Sequence, residues 1–152
     1  MTARTLPSPD DAGRLLLRLA LGTMWLSHGL LLKYLTYGIA GFAGFLASTG
    51  LPASLAWPIT LAEIAGGMAI LVGWHGRWVS VALLPILLGA TWIHAGNGWV
   101  FSAANGGWEY PVFLVVASIA HVLLGDGAHA LSAPRPSRLL QGAVAASLKE
   151  PA

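Results

Sequence analysis

The sequence predicts an all-α integral membrane protein, a four-helix bundle with a short outer interfacial helix between its first and second spans. Three observations predict it. Of 152 residues, 56% are hydrophobic and only 9% are charged, against roughly 25% charged in an ordinary soluble domain. Segments at about 14–34, 55–74, 78–95 and 108–125 are apolar, each close to the roughly 17–25 residues that a spanning helix needs. Lysine and arginine fall in alternate connections between those segments and are missing from the others.

The first 13 residues, MTARTLPSPDDAG, carry two aspartates and precede no A-x-A-like cleavage site, so the first span is expected to be retained as an anchor. That span ends near KYLTYG. In the GFAGFLASTGLP that follows, Phe42, Phe45 and Leu46 stand at i, i+3 and i+4, the stripe of a short helix with one apolar face. Gly50 and Pro52 should close it. Pro58 falls in the first turn of the second span, where a missing amide costs little. Pro85 lies near the middle of the third and should bend it, opening space between helices. The loop HAGNGWVFSAANGGWEYP reads as a structured lid, with Trp99 and Trp108 suited to the membrane interface. After residue 131 the chain is punctuated by Pro134 and Pro136, and SRLLQGAVAASLKE has the look of a surface helix.

Charge placement gives the topology. Arg4, Arg14 and Arg18 precede or open the first span, Arg77 sits between the second and third, and Arg135, Arg138 and Lys149 follow the fourth. The positive-inside rule puts these regions in the cytoplasm and the two other loops outside. The expected organisation is a cytoplasmic segment at 1–13, a transmembrane domain at 14–131 and a cytoplasmic tail at 132–152, in a bacterial-type inner membrane with both termini inside. A net charge of +2 is too small to argue for a nucleic-acid partner. The absence of cysteine excludes disulfides, thiolate metal sites and a thiol relay.

Within or beside the spans lie Arg18, His28, Lys33, Glu63, His94, Glu109 and His121. A charge at the centre of a spanning helix costs roughly 2.5–3.5 kcal/mol, so such residues face the bundle interior, pair, and mark functional paths. His28 and Lys33 end the first span, Glu63 lies in the first half of the second, His94 ends the third and Glu109 begins the fourth. All five should therefore gather toward the outer side. Helical phase supports this: Glu63, Gly67, Ile70 and Trp74 share one stripe, and Arg18, Gly22, Trp25 and Gly29 another. Arg18 lies about 15 Å below His28 at 1.5 Å per residue, deep enough to meet His121 as a separate polar feature.

Two carboxylates, two imidazoles and an ammonium in an apolar pocket suit a quinone or quinol. On this reading His28, Lys33 and His94 donate hydrogen bonds to its carbonyls, Glu63 and Glu109 relay protons, and the ring lies against Trp25, Trp92 or Tyr110. Two alternatives stand beside it. The polar residues can simply lock the bundle, with Lys33 on Glu109 and Glu63 on His28 or His94. His28, His94 and Glu63 are also acceptable metal or haem ligands by type, although no H-x-x-E, E-x-x-H or H-x-x-x-H pair occurs on any span.

The stretches RLLLRLALGTMWLSHGLLLKY, FAGFLASTGLP, LAEIAGGMAILVGWHGRW, HAGNGWVF and GGWEYPVFLVVASIAHVLLGDG, in that order from Arg14 to Leu131, together resemble the DoxX family. The most telling pieces are the arginine and histidine-glycine of the first span, AE..GG, H..NG and EYP. The resemblance implies a four-helix inner-membrane protein in a quinone-linked redox setting, of the kind associated with quinol oxidase and thiosulfate:quinone oxidoreductase. It implies Arg18, His28, Lys33, Glu63, His94, Asn97, Glu109 and Tyr110 as the polar signature. No flavin, nicotinamide or cysteine motif occurs, so a partner oxidoreductase is expected to bring the electrons. The rival expectation is a non-catalytic structural or assembly subunit that anchors a partner complex.

Overall fold

The computed structural model describes residues 8–132. The expected tail helix, and with it Arg4, Arg135, Arg138 and Lys149, lies outside the described residues.

Helix α1 runs Pro9–Leu26 and continues without a break into a π-helical stretch, Ser27–Thr36. It starts ahead of the expected residue 14. Ser8 accepts a hydrogen bond from the Asp11 amide at 3.2 Å, Pro9 occupies the first turn, and Asp10 and Asp11 face the positive end of the helix dipole. Arg18, Leu21, Gly22 and Trp25 form the buried stripe of α1, and Gly29 extends it into the π stretch. The interfacial helix is α2, Gly38–Ser48, whose Phe42 and Leu46 are buried. Phe45 is left half-exposed at 44%, because α2 buries one narrow edge rather than the whole expected stripe. Gly50, at φ +82°, ends the turn beyond it.

A 3-10 turn, Ala53–Leu55, leads into α3, Ala56–Val72, which buries Thr60, Glu63, Gly66, Gly67 and Ile70. Gly73, left-handed at φ 69°, stops α3, so Trp74 falls beyond the helix and is exposed. Helix α4, Gly76–His94, carries Pro85 inside it. Helix α5 is Glu109–Leu124.

The helices close into a ring in which α1 packs on α3, α3 on α4, α4 on α5 and α5 on α1, while α2 covers one end against α3 and the π stretch. Leu21, Trp25, Ile70, Leu83, Leu87 and Leu114 form the central core. Phe42, Leu46 and Ala56 form a smaller one under α2. Leu16, Met68, Trp78, Leu88, Phe113 and Leu123 point outward and exposed, as a bundle with lipid as its solvent requires.

Three helical stretches, Pro9–Thr36, Ala53–Val72 and Gly76–Asn97, are long and apolar enough to cross a membrane. The fourth, α5, has 16 residues, about 24 Å at 1.5 Å per residue, short of a hydrocarbon core of roughly 30 Å.

Candidate functional site

The end of the bundle beneath α2 holds the expected outer residues. Lys33 forms an ion pair with Glu63, joining the π stretch to α3. Five residues apart, His28 and Lys33 would stand about 140° from one another on an α-helix of 3.6 residues per turn. The i→i+5 bonding of a π-helix brings them to one side. Tyr37 N–H to the Leu32 carbonyl at 2.8 Å shows that winding. Glu63 is 1% exposed, and its Oε2 has no hydrogen-bond partner. The Lys33 ammonium also lies 4.8 Å from the centre of the Phe42 ring, a favourable cation–π distance.

A cavity of about 420 Å³ opens beside Lys33, with Glu63 behind that residue and outside the lining, within the roughly 300–1,000 Å³ usual for small-molecule sites. Its polar lining comes from His28, Lys33, His94 and Tyr110, and its apolar walls from residues such as Phe42, Phe45, Ile59, Ile86, Ile93 and Leu114. Pro85 and Gly89 line it from α4. A second hollow of about 450 Å³ adjoins it and shares His28, Lys33, Phe42, Phe45 and His94.

The histidines are oriented by the backbone. His28 Nδ1 lies 2.9 Å from the Met24 carbonyl, and the ring stacks on Tyr110 with centroids 6.1 Å apart. His94 Nδ1 lies 3.0 Å from the Asn105 carbonyl and 3.2 Å from that of Gly106. A carbonyl only accepts, so Nδ1–H donates in both rings, and Nε2 of each neutral imidazole is left as an acceptor. The sequence reading of both as donors to a carbonyl therefore holds only for the imidazolium. Asn97 donates to the same two carbonyls, at 3.1 and 2.8 Å. Its place is behind the cavity wall, holding the loop, whose Trp99 and Trp108 rings meet edge to face at 4.5 Å.

Three expected members stand elsewhere. Trp25 is 1% exposed in the central core and does not line the cavity, because the α1 stripe turns it toward α3 at Gly67. Trp92 faces outward, 65% exposed. Glu109 lies in a separate groove with Trp99, Phe101 and Phe113, since the first turn of α5 points it away from α3. Lys33 is thus paired with Glu63, not Glu109. Among the described residues, no three His, Asp or Glu side chains gather as a metal-ligand group, so His28, His94 and Glu63 do not close into the alternative ligand set.

At the opposite end, Arg18 and His121 do come together, through a residue the sequence reading overlooked. Asp126 accepts from Arg18 Nη1 on its carbonyl at 2.9 Å and from the Gly76 amide on its carboxylate at 3.1 Å. Its other carboxylate oxygen lies 3.1 Å from His121 Nε2. Neither atom has an aligned hydrogen-bond partner, so the two are in contact and form an ion pair only when the His121 ring is protonated. Ser80 Oγ lies 2.9 Å from His121 Nδ1. The available signal was GDG directly after a span, where glycines at φ +87° and +68° bend the chain back over the helix ends.

Against known proteins, the family model for DoxX matches residues 13–96, more than half of the chain. The chain belongs to the DoxX family. The DoxX match takes in Arg18, His28, Lys33, Glu63 and His94 and stops before Asn97, Glu109, Tyr110 and His121. A curated relative, named "Putative oxidoreductase CatD" in Bacillus subtilis (strain 168), is 36% identical over 80 residues, 53% of this chain and 58% of the relative. The chain thus spans less than two thirds of that relative's length in the match. No solved structure matches.

Proposed function

We propose that this DoxX-family membrane protein is a subunit of a quinone-linked oxidoreductase, binding quinone or quinol in the cavity beneath α2 and exchanging electrons with a partner enzyme. The observation that carries this reading is the cavity itself: apolar walls for a ring and tail, with a cation, two oriented imidazoles and a phenol at its edge. The name of the Bacillus relative, an oxidoreductase, favours a redox setting.

The residues fit such a ligand. Lys33 is placed to donate to a carbonyl oxygen. His28 and His94 accept from a hydroxyl through Nε2, and after taking a proton they donate. Glu63, buried against Lys33 with Oε2 unsatisfied, is placed to hold a proton, a role that falls to it rather than to Glu109. Tyr110, stacked on His28, supplies a flat face. A quinone bound there would supply the two-electron, two-proton couple. Arg14 and Arg77, which form no ion pair among the described residues, favour an inner-membrane orientation with their end cytoplasmic.

Glu63→Gln in correctly inserted protein is expected to lower partner-dependent quinone reduction by about 10²-fold, the usual scale of a lost acid–base group, while the partner stays bound. Unchanged turnover would reject the reading. A second reading, a structural subunit, is favoured by the work these same groups do in the fold: Lys33 ties α1 to α3, and His94 with Asn97 pins the loop. It predicts that Glu63→Gln disperses the complex or lowers its melting temperature with no selective loss of turnover.

A further inference from the structure

The arginine-bearing end carries a further hollow that the quinone reading does not use. It measures about 450 Å³ and is lined by Asp11, Arg14, Arg77, Asp126 and Gly127, with Leu124 at its apolar side. Arg77 donates Nε–H to the Val122 carbonyl at 2.8 Å, which anchors the guanidinium at the end of α5 and leaves its two terminal nitrogens for another acceptor. Arg14 is set against the loop: Gly127, at φ +68°, passes so close that a methyl there would meet Arg14 Cβ at 2.5 Å.

Both carboxylates at the rim are engaged elsewhere. Asp126 receives the Gly76 amide and faces His121, and Asp11 accepts from the Ser8 hydroxyl at 3.0 Å. Among the described residues Lys33 pairs with Glu63, and Asp126 faces His121, an ion pair only when that ring is protonated; neither Arg14 nor Arg77 forms an ion pair with a carboxylate. Two unpaired guanidinium forks facing one hollow match the oxygens of a phosphate. Trp74 and Trp78, 58% and 73% exposed, flank the same end as interfacial aromatics do, which sets the hollow at headgroup depth. Basic pockets between spanning helices at that depth hold anionic lipid headgroups.

We infer that the Arg14–Arg77 hollow binds the phosphate of an anionic membrane lipid, with Leu124 against its acyl chain. The test uses the full chain in phosphatidylcholine nanodiscs, with phosphatidylglycerol added in one arm and inorganic phosphate in another, read by melting temperature and by lipid retained in native mass spectrometry. Phosphatidylglycerol should raise the melting temperature and remain bound, whereas inorganic phosphate should do neither. Arg14→Gln, which removes no hydrogen bond among the described residues, should keep the phosphatidylcholine melting temperature and weaken phosphatidylglycerol binding about tenfold or more. Adding Arg77→Gln should abolish it. An equal shift with inorganic phosphate would replace the lipid with a free anion. No response to phosphatidylglycerol, or an undiminished response in Arg14→Gln with Arg77→Gln, would overturn the site.

Discussion

The Lys33–Glu63 pair ties the π stretch to α3 at the cavity end of the bundle. The Glu63 side chain is 2% exposed and that of Lys33 16%, so neither charge is well hydrated without the other. Removing one partner of a buried pair costs roughly 3–5 kcal/mol, whereas replacing both with apolar groups is often neutral. Lys33→Met should therefore destabilise the protein by about 3 kcal/mol, the low end of that range, since Lys33 keeps some solvent. Adding Glu63→Leu should recover most of the loss. Unfolding in detergent would check this, and a single variant as stable as the double would show that the pair is not buried as described. The pairing itself was only half legible. Charge cost in a span says that Lys33 and Glu63 need partners, but the choice between Glu63 and Glu109 depends on which way the first turn of α5 faces, and no periodicity in an apolar stretch fixes that.

At the scale of elements, the close approach of the π stretch to α3 positions the pair. A methyl on Gly29 would meet Glu63 Cβ at 2.8 Å and the Ile64 amide nitrogen at 3.0 Å. Gly29→Ala should push the two helices apart and cost about 1–3 kcal/mol, as overpacking does. Gly44→Ala, on α2 with nothing within 4 Å of the new methyl, should instead stabilise by about 0.5–1 kcal/mol. Thermal unfolding of both variants side by side checks the contrast, and equal effects would contradict the packing. The stripes of Arg18, Gly22, Trp25 and Gly29 and of Glu63, Gly67 and Ile70 were readable from helical phase alone. The π winding of SHGLLLKYLT was not, because a run of leucines presents an apolar face at any period. Asp126 was missed for a related reason: a single acid beyond a span looks like solvated loop until the glycines around it are seen to fold it onto Arg18 and His121.

The whole molecule has two polar ends separated by a dry core of Leu21, Trp25, Ile70, Leu83, Leu87 and Leu114. That asymmetry, with Arg14 and Arg77 at one end, free of ion pairs among the described residues, and the cavity at the other, predicts the orientation. The chain has no cysteine, so single cysteines report cleanly. In intact spheroplasts an impermeant thiol reagent should modify Ser102→Cys and leave Leu131→Cys untouched until the membrane is opened; the reverse pattern would invert the topology. Quinone binding in the cavity beneath α2 is proposed to rest on Lys33 at its wall, with Glu63 paired behind it. Its most direct test is mild purification from the native membrane followed by organic extraction, comparing the native chain with Glu63→Gln. Stoichiometric quinone is expected from the native protein, and its loss from a correctly inserted Glu63→Gln. A native protein that arrives without quinone, or a Glu63→Gln that retains it in full, would rule out quinone binding there.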